Sequence, residues 1–329
     1  MLSEAELIKE FLTPLTGQNS GALNLTDDVA ILACGEDEDL IISKDLCIAG
    51  KHFFKTDNPA DIAFKAVAVN VSDIISKGAD PTAYLLGLAL PDAPTREWAA
   101  EFTSGLKEAQ AQFGLDLLGG DTTASQNDLC ISITVFGKCL KNSAIRRSTA
   151  NYTDHIYVTG TLGDSALGFR LHRASEFKEN FDLEDSDEEF LISRYMRPSP
   201  RINAFPLVSR FASSAMDLSD GLVSDLQNLC EASNCGADIN LSKLPFSKPA
   251  QNIIRTVPEI TDEIISWGDD YEIILTIPEK NDQKFNAAAN IIDLPVHKIG
   301  CIKEKKLGIR YLCETGEAVE LKAKQFQHF

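Results

Sequence analysis

The chain has 329 residues, a length typical of two domains with one hydrophobic core each. With 44% hydrophobic and 24% charged residues, the composition indicates a folded globular protein and excludes a disordered or fibrous chain. The 31 Lys and Arg residues against 49 Asp and Glu residues give a net charge of -18, which argues against general binding to nucleic acid or anionic membranes because both require a basic surface. We expect metal ions to mediate the binding of any phosphorylated ligand.

The first residues predict no secretory signal, because Glu4 and Glu6 stand where a signal would carry basic residues. No later stretch approaches the ~18 consecutive apolar residues of a membrane helix, so we expect a cytoplasmic protein that makes no membrane contact. The eight cysteines lie mostly inside apolar segments, with no C-x-x-C motif and no Cys/His cluster. They are interpreted as reduced thiols in the core.

Strands and helices alternate in the first half of the chain. Asn58, followed by a proline, is typical of a helix start and Gly78 of a helix end, so a helix is predicted over residues 59–77. On this helix Asn70 and Asp73 share a face away from the main apolar stripe. Periodicity predicts the remaining elements as strands 28–33, 40–49, 84–90 and 129–136, helix 98–113, and a short strand ending at Gly119-Gly120-Asp121.

A polar stretch without strand patterns, residues 141–154, separates the two halves. We place the domain boundary near Ser148, which predicts domains of residues 1–148 and 149–329. The second half repeats the mixture of elements, with strands over 155–159, 214–218 and 271–277, a helix from Gly221, a hairpin turning at Thr315-Gly316, and an acid-rich loop or helix start over 182–189. Both halves indicate an α+β fold, and the strand order does not follow from the sequence.

Acidic residues recur beside glycines and near the expected ends of strands. Mg²⁺ binds oxygen ligands at ~2.1 Å in octahedral geometry, so several such carboxylates could hold two or more ions against a triphosphate. Each one alone is more commonly a turn or helix-cap residue, and six groups favour a metal site without settling it. The groups are Asp27-Asp28, Asp45, Asp73, Asp121, Asp217 with Asp220, and Asp269-Asp270.

Common nucleotide-binding signatures are missing from the sequence. There is no G-x-x-x-x-G-K-[ST] loop, no G-x-G-x-x-G after a strand and no His-Arg-Asp catalytic loop, which argues against P-loop, dinucleotide-binding and protein-kinase-like folds. A G-x-S-x-G nucleophile elbow is missing too. His52 follows Gly50-Lys51 and is close in sequence to Asp45, which leaves open whether it is a solvated loop histidine or a site residue.

Nine short motifs, in order between Asp27 and Glu272, resemble the thiamine-monophosphate kinase family of the aminoimidazole ribonucleotide synthetase-like superfamily. A single Gly-Gly-Asp would be weak, but the ordered set spans almost the whole chain. The motifs are Asp27-Asp28-Val29-Ala30; Ser43-Lys44-Asp45 with Gly50-Lys51-His52-Phe53; Asn70-Val71-Ser72-Asp73 with Lys77-Gly78-Ala79-Asp80-Pro81; Gly119-Gly120-Asp121-Thr122-Thr123; Arg147-Ser148; Val158-Thr159-Gly160-Thr161-Leu162-Gly163-Asp164-Ser165; Arg197-Pro198 with Pro200-Arg201; Asp217-Leu218-Ser219-Asp220-Gly221-Leu222; and Gly268-Asp269-Asp270-Tyr271-Glu272.

The resemblance implies a two-domain α+β architecture, in which the sheet of the N-terminal domain is shared across a homodimer and the C-terminal domain is an α/β sandwich. It also implies ATP as co-substrate, several Mg²⁺ ions, and direct in-line transfer of the γ-phosphoryl group to thiamine monophosphate, which gives thiamine diphosphate. Both reactants are phosphates, so catalysis would consist of alignment and charge neutralisation.

Position by position, the resemblance implies three groups of site residues. The metal ligands match Asp27, Ser43, Asp45, Asp73, Asp121, Asp217 and Asp220. The nucleotide contacts match Gly120, Asp121, Arg147 and Ser219. The substrate contacts match His52, Asp269 and the aromatic Phe326 near the C-terminus. No residue is expected to act covalently.

Three residues depart from the family pattern: Thr26 replaces Gly, Lys44 replaces a small hydroxyl residue, and Asp269 replaces Glu. Lys44 matters most, because a cation replaces a side chain that could help to bind metal, unless the backbone carbonyl suffices. Two alternatives stay open, namely another ATP-dependent synthetase such as aminoimidazole ribonucleotide synthetase, and a non-catalytic nucleotide-binding or metal-sensing relative. Selenophosphate synthetases and hydrogenase-maturation relatives are disfavoured, because their functional cysteines have no counterpart ahead of the first acids or at the C-terminus.

Overall fold

The protein, described by a computed structural model, is built around two mixed β-sheets with helices packed on them. The structure describes residues 20–181 and 183–321, together with positions 8, 9 and 13. One sheet of five strands uses residues 30–140, and one of seven strands uses residues 155–319. The predicted α+β class with two domains is confirmed.

The N-terminal half contains, in chain order, β1 (Ala30–Cys34), β2 (Glu38–Ile48), α1 (Pro59–Ser76), β3 (Asp80–Leu90), α2 (Arg96–Phe113), β4 (Asp116–Ala124) and β5 (Cys130–Leu140). Its strands have the spatial order β1-β2-β5-β3-β4, so β1 and β4 are the two edges. The pair β3 and β4 is parallel, and the other neighbours are antiparallel. Alternate residues of β5, such as Ile131, Ile133 and Val135, are buried under α1, as the two-residue period predicts.

Helix α1 begins and ends at the predicted signals. The Asn58 side chain accepts a hydrogen bond from the Ala60 amide at 2.8 Å, and Pro59 occupies the first turn. At the other end Gly78 has a φ of +71°, and a Cβ there would lie 2.7 Å from the backbone nitrogen of Ser209. A glycine is therefore required where the end of α1 meets the second half of the chain.

Three predicted strands are longer than their sequence patterns indicated, one of them β5, which runs to Leu140 instead of residue 136. β3 begins at Asp80 rather than at residue 84, and β4 runs to Ala124 instead of ending at Gly119-Gly120-Asp121. Parallel pairing extends β4, since its last three residues lie opposite the end of β3. The Gly-Gly-Asp motif is therefore inside an edge strand and not at a strand end.

The C-terminal half contains β6 (His155–Thr159), α3 (Asp164–Arg173), α4 (Asp185–Met196), α5 (Phe205–Phe211), β7 (Ser214–Asp217), α6 (Leu222–Ala232), β8 (Cys235–Asn240), α7 (Lys248–Thr256), α8 (Ile260–Ile265), β9 (Ile273–Ile277), α9 (Asp282–Ile291), β10 (Val296–Glu304), β11 (Ile309–Leu312) and β12 (Ala318–Val319). The strand order is β12-β11-β8-β10-β6-β9-β7. The predicted hairpin at Gly316 is confirmed, because β11 and β12 pair antiparallel around it.

The structure has the two hydrophobic cores that the chain length predicts, but one of them is shared between the two domains. Helix α1 is buried along residues 62–76 and lies between the five-stranded sheet and β7 of the other sheet. One continuous core therefore joins Ile74 and Ile133 to Leu275 in β9. The second core includes Ile274, the next residue along β9, and so lies on the opposite face of the seven-stranded sheet. A helix that is apolar over most of its surface needs cover from both sheets.

Two expectations drawn from composition can be compared with the structure. All eight cysteines are free, but only Cys47, Cys139 and Cys230 are buried, while Cys34 is exposed and the other four are half-buried. The interpretation as core thiols therefore holds for three positions. Within the described part of the chain, no helix combines the length and apolar character required to cross a membrane.

Candidate active site

Helix α1 carries a polar face against the N-terminal sheet. Asn70 and Asp73 share that face, and both are buried. The side-chain oxygen of Asn70 accepts a hydrogen bond from the amide of Asp45 at 2.8 Å, and the Ser43 hydroxyl donates to Asp73. These contacts bring Ser43, Asp45 and Asp73, three of the predicted metal ligands, to one side of the sheet.

A buried lysine holds the paired acids that precede β1. Lys77 is fully buried, with Nζ 3.0 Å from Oδ1 of Asp27 and also in contact with Oδ2 of Asp28. The same ammonium group donates to the carbonyl oxygen of Ala215 in β7 at 3.1 Å. Lys77 thus connects the acid pair of the first half to a strand of the second half.

Arg147 is the second cation beside this acid pair. Its Nη1 lies 3.3 Å from Oδ1 of Asp28, and its backbone amide donates to Oδ2 of Asp27 at 3.1 Å. Its Nε donates to the carbonyl oxygen of Thr26 at 2.6 Å, while the Thr26 hydroxyl closes a turn onto Leu23. Because Arg147 contacts the backbone at position 26, a Thr in place of Gly leaves this hydrogen bond intact.

Backbone hydrogen bonds join the two acidic motifs of the second half. The Asp269 amide donates to the Ser219 carbonyl at 2.8 Å, and the Tyr271 amide donates to the Leu218 carbonyl at 2.9 Å. Asp269 and Tyr271 have φ values of +68° and +49°, in the left-handed region that few residues other than glycine adopt. A Cβ at Gly268 would lie 2.0 Å from the Ser219 carbonyl oxygen. Asp269 is therefore fixed beside the segment that carries Ser219 and its acidic neighbours.

A buried ionic network supports this loop. Glu272 is completely buried and accepts hydrogen bonds from Arg194 at 3.0 Å, from Nε of Arg201 at 2.8 Å and from the Thr159 hydroxyl at 2.7 Å. Two arginines around one carboxylate compensate for the loss of its hydration. Asp270 accepts a backbone hydrogen bond from the start of α3 at 2.9 Å, and burial raises the pKa of Asp270.

The carboxylates near the end of α1 repel one another. Burial, followed by repulsion from Asp217 and Asp45, raises the pKa of Asp73 well above its ordinary value. Burial, followed by repulsion from Asp28, raises the pKa of Asp217 to about 7. Asp28 differs, because burial alone would raise its pKa but the two neighbouring cations outweigh that effect and lower it. The protein's own cations thus outweigh the burial of Asp28, whereas around Asp73 and Asp217 burial and repulsion outweigh the stabilising contacts.

The oxygen donors in this region fit a hard divalent cation. Carboxylate and hydroxyl oxygens are the ligands that Mg²⁺ prefers. Oδ2 of Asp217 is buried and has no hydrogen-bond partner within the residues that the structure describes. The described ranges contain no three His, Cys, Asp or Glu side chains close enough to hold an ion by themselves. The acids therefore border a space in which further oxygen ligands, such as those of a phosphate, would be required to complete a coordination shell.

Gly120 and Asp121 lie apart from this cluster. They are on the edge strand β4, and β5 and β3 separate β4 from β2, a distance of about 14 Å at ~4.8 Å per strand. Asp121 pairs with Gly87 of β3, and Gly87 pairs with Ser132 of β5. Residues that pair across strands share a face of the sheet, and Ser132 faces away from α1 because its neighbours in β5 face the helix. The side chain of Asp121 is therefore on the face away from the helices. Gly120 has a packing role, since a Cβ there would lie 1.8 Å from the Leu86 carbonyl oxygen.

Lys44 points away from the acids. Successive residues of a strand face opposite sides of the sheet, so Lys44 is on the other face from Ser43 and Asp45. Its ammonium group contacts the Ser132 hydroxyl on that face. The Ser43 hydroxyl remains on the acidic side, so the departure at Lys44 removes no side-chain oxygen from there.

Two of the three predicted substrate contacts are connected through one cleft. His52 lines a tight cleft together with Lys65 of α1 and Tyr195 of α4. Nδ1 of His52 accepts a backbone hydrogen bond at 3.0 Å, which places the proton of the neutral ring on Nε2. From this cleft Lys65 reaches Asp269, with 3.0 Å between Nζ and Oδ2. Phe326 lies outside the described residues.

Comparison with known proteins identifies the family. Residues 26–139 match the family described as AIR synthase related protein, N-terminal domain, and residues 154–312 match AIR synthase related protein, C-terminal domain. The chain is 38% identical over 310 residues to the thiamine-monophosphate kinase of Escherichia coli (strain K12), which covers 93% of this chain and 92% of that protein. This chain belongs to the thiamine-monophosphate kinase family.

Solved structures agree with the assignment. The crystal structure of thiamine-monophosphate kinase from Stenotrophomonas maltophilia K279a is 32% identical, with a TM-score of 0.78, and covers 95% of this chain and 96% of its own. The structure of AaThiL complexed with AMPPCP and TMP is 27% identical, with a TM-score of 0.84, and covers 100% of this chain and 97% of its own. The similarity to thiamine-monophosphate kinases therefore extends over both domains.

Two lysines beside the predicted site residues were not singled out from the sequence. Lys77 belongs to one of the family motifs, but a lysine at the C-terminal end of a helix is common because it interacts with the helix dipole, so its contact with the paired acids was not predicted. Lys65 did carry a signal, since it is the one charged residue in the stretch of α1 from residue 62 to residue 72. A single charge in an otherwise apolar helix segment indicates a buried partner, which the structure provides in Asp269.

Proposed function

We propose that this chain catalyses the reaction of its family, the transfer of the γ-phosphoryl group of ATP to the phosphate of thiamine monophosphate, which yields thiamine diphosphate. The observation that carries the proposal is the group of buried, mutually repelling carboxylates at the end of α1, beside Arg147 and close to the cleft with His52. A related protein, AaThiL, was solved with AMPPCP and TMP bound together. Acids that require cations agree with a site for two phosphorylated ligands.

The proposed metal ligands are Asp27, Ser43, Asp45, Asp73, Asp217 and Asp220, of which Ser43, Asp45 and Asp73 meet on one side of the N-terminal sheet. Mg²⁺ ions held by these residues would supply charge neutralisation at the transferring phosphoryl group. Burial and then mutual repulsion raise the pKa of Asp73 and Asp217, and cations bound at these carboxylates would remove the cost of the repulsion. Arg147 and Ser219 are proposed to contact the nucleotide, and the guanidinium group adds a positive charge beside Asp28.

The transfer is proposed to be direct and in line. The acceptor is a phosphate monoester with a second pKa of about 6, so its oxygen is mostly ionised at neutral pH and needs no general base. A phosphorylated protein side chain would add a step without benefit. The role of the protein is alignment, for which the loop of Asp269 is suited because it is fixed by the Glu272 network and by backbone bonds to residues 218 and 219.

The thiamine portion is proposed to bind between His52, Asp269 and Phe326. Thiamine contains a positively charged ring, which a carboxylate and aromatic faces both attract. Aromatic side chains cluster beside the cleft, with ring centroids 5.8 Å apart for Phe54 and Phe169 and 4.9 Å apart for Phe169 and Trp267. An acid and several aromatic rings therefore offer a suitable surface for a cationic heterocycle.

The N-terminal domain, residues 1–148, is proposed to form a homodimer through its sheet, with residues 149–329 as the second domain. Six leucines on the strands of this sheet are exposed: Leu32, Leu46, Leu85, Leu117, Leu118 and Leu140. An exposed apolar sheet with an open edge strand is typical of an interface. Asp121 is on the face away from the helices and three strands from Asp45, so we propose that it contributes to the site of the partner copy.

The test is turnover of candidate substrates by the purified protein with ATP and Mg²⁺. Thiamine monophosphate should yield thiamine diphosphate, whereas formylglycinamidine ribonucleotide, the substrate of aminoimidazole ribonucleotide synthetase, should not react. Turnover of neither compound would overturn the proposal in favour of a non-catalytic relative.

The direct mechanism has its own test with γ-labelled ATP. Without acceptor the protein should remain unlabelled, and with thiamine monophosphate the label should appear in thiamine diphosphate. Label on the protein that is lost when thiamine monophosphate is added would contradict direct transfer while leaving the substrate assignment in place.

A further inference from the structure

We propose that Lys65 is a positioning residue for thiamine monophosphate, whose ammonium group holds the carboxylate of Asp269 in the orientation that meets the thiamine ring system. The inference rests on the proposed function and deepens it, because it names the residue on which recognition by Asp269 depends. Lys65 is on helix α1 of the first half and Asp269 is on a loop of the second half. The contact therefore also sets how the two halves meet at the substrate end of the site.

The surroundings of Lys65 restrict its ammonium group to one place. The side chain is 4% exposed, and Nζ lies 3.0 Å from Oδ2 of Asp269. Nζ also lies 3.9 Å from the centroid of the Tyr195 ring. A buried ammonium group has lost its hydration, so the carboxylate and the ring face replace water as its partners and hold it in position.

Each carboxylate oxygen of Asp269 receives its own donor. Lys65 bonds to Oδ2, and the Tyr271 hydroxyl donates to Oδ1 at 3.1 Å. Burial, followed by the charge of Asp269, raises the pKa of Tyr271, so this hydroxyl keeps its proton and remains a donor. The Asp269 side chain is still 25% exposed. Two donors thus fix a carboxylate that a ligand can reach, which is the arrangement expected of a preorganised recognition group.

A second cation of the same kind provides a matched control. Arg197 follows α4 and pairs with Asp61 of α1 at 3.1 Å, with its guanidinium carbon 4.3 Å from the centroid of the Phe64 ring. Lys65 and Arg197 therefore each join α1 to the second half through an acid and an aromatic ring. Arg197 pairs with Asp61 and Glu108, whereas Lys65 contacts Asp269. The comparison of the two separates an effect on substrate recognition from a general effect on the domain interface.

The experiment compares Lys65→Met, Lys65→Arg, Asp269→Asn, the Lys65→Met/Asp269→Asn double variant and Arg197→Met in the full-length protein. Lys65→Met should raise the KM for thiamine monophosphate roughly tenfold, while kcat and the KM for ATP change less than about twofold. The double variant should equal Asp269→Asn alone, because Lys65 acts through that carboxylate. Calorimetric binding of thiamine monophosphate to the protein saturated with AMPPCP should weaken to the same extent.

Three results would overturn the inference. The first is a Lys65→Met variant whose KM for thiamine monophosphate changes no more than that of Arg197→Met, and the second is a double variant in which the two effects multiply. If Lys65→Met does not fold, Lys65→Arg provides the test. The KM of Lys65→Arg for thiamine monophosphate should stay within about threefold of the wild-type value. The third contrary result is a Lys65→Arg variant that binds thiamine monophosphate as weakly as Asp269→Asn does. A wild-type chain inactive towards thiamine monophosphate would overturn the proposed function and this inference together, whereas these three results leave the proposed function standing.

Discussion

Two regions along helix α1 handle charge in opposite ways. Near the start of the helix, Lys65 meets Asp269, and both oxygens of that carboxylate have a donor. Eight residues later, about 12 Å along the helix axis, Asp73 faces Asp45 and Asp217, and burial together with repulsion from these like charges raises the pKa of Asp73. The first region is organised by the protein alone. In the second region the protein neutralises the carboxylates only in part, and we expect cations that bind together with a ligand to neutralise the remaining negative charge.

The largest expected effect follows from removing a charge in the second region. Asp45→Asn and Asp121→Asn should each lower kcat more than roughly tenfold at fixed Mg²⁺, because the charge on the transferring phosphoryl group would be less well neutralised. Both residues are exposed, so the unfolding midpoint should hardly change. Asp116→Asn, which alters another exposed acid of β4, serves as the control. Near-normal turnover in both variants would refute the metal assignment.

The next effect concerns the stability that the buried Lys77 gives to the acid pair before β1. Lys77→Met leaves Asp27 and Asp28 buried beside Arg147 alone, so the free energy of unfolding should fall by about 3 kcal/mol. Lys298→Met removes a half-exposed cation near Asp282 and should cost at most about 1 kcal/mol. Urea denaturation measures both variants. Equal losses would show that burial does not distinguish the two ion pairs.

The dimer proposal predicts complementation between inactive subunits. If Asp121 acts across the interface, each active site combines Asp45 of one chain with Asp121 of the other. In a heterodimer of Asp45→Asn and Asp121→Asn chains, one site would then carry both substitutions and the other site would carry neither. A statistical mixture after subunit exchange should then regain about a quarter of wild-type activity. Sedimentation of the wild type should show a dimer. A mixture that stays inactive although exchange is complete would place Asp121 in its own chain's site.

The smallest effect is expected at the substrate end. His52→Ala removes a ring that lines the cleft, while the acids and Arg147 are unchanged. The KM for thiamine monophosphate should rise about threefold or more, with kcat nearly constant, because the loss falls on binding rather than on transfer. Steady-state kinetics with both substrates measures this. A fall in kcat at constant KM would instead give His52 a part in the transfer itself.

Local signals predicted the elements of the fold better than their assembly. The cap at Asn58 and the glycine at Gly78 fixed both ends of α1, and the helical period put Asn70 and Asp73 on one face. A local pattern could not predict that β2 and β7 pack on α1, because these two strands come from distant parts of the chain. The shared core was missed for the same reason.

The candidate site was predicted as a set of acids with Arg147, but without the buried Lys77 that contacts the first acid pair. A carboxylate beside a glycine is visible in the sequence, whereas the partner of Lys77 depends on the packing of residues 27, 28 and 215 around one ammonium group. The side of the sheet that Lys44 faces depends on the register of β2 against β5, which could not be predicted from the sequence. The position of Asp121 at an open edge depends on strand order in the same way.

The pH dependence of stability follows from the raised pKa of Asp217. With a pKa of about 7 in the folded protein against an ordinary 3.8, the folded state keeps a proton that the unfolded state has lost at intermediate pH. This carboxyl therefore favours folding at low pH, and its contribution is lost as the pH rises towards 7. Mg²⁺ requires the ionised carboxylate, so metal binding should have the opposite pH dependence.

We propose that divalent cations complete the group of buried carboxylates at the end of α1. The unfolding temperature at pH 6 and pH 8, each in EDTA and in excess Mg²⁺, tests this for the wild type and for Asp217→Asn. Mg²⁺ should raise the unfolding temperature of the wild type more at pH 8 than at pH 6, and Asp217→Asn should reduce this difference. A Mg²⁺ effect that is absent, or equal at the two pH values, would contradict this proposal.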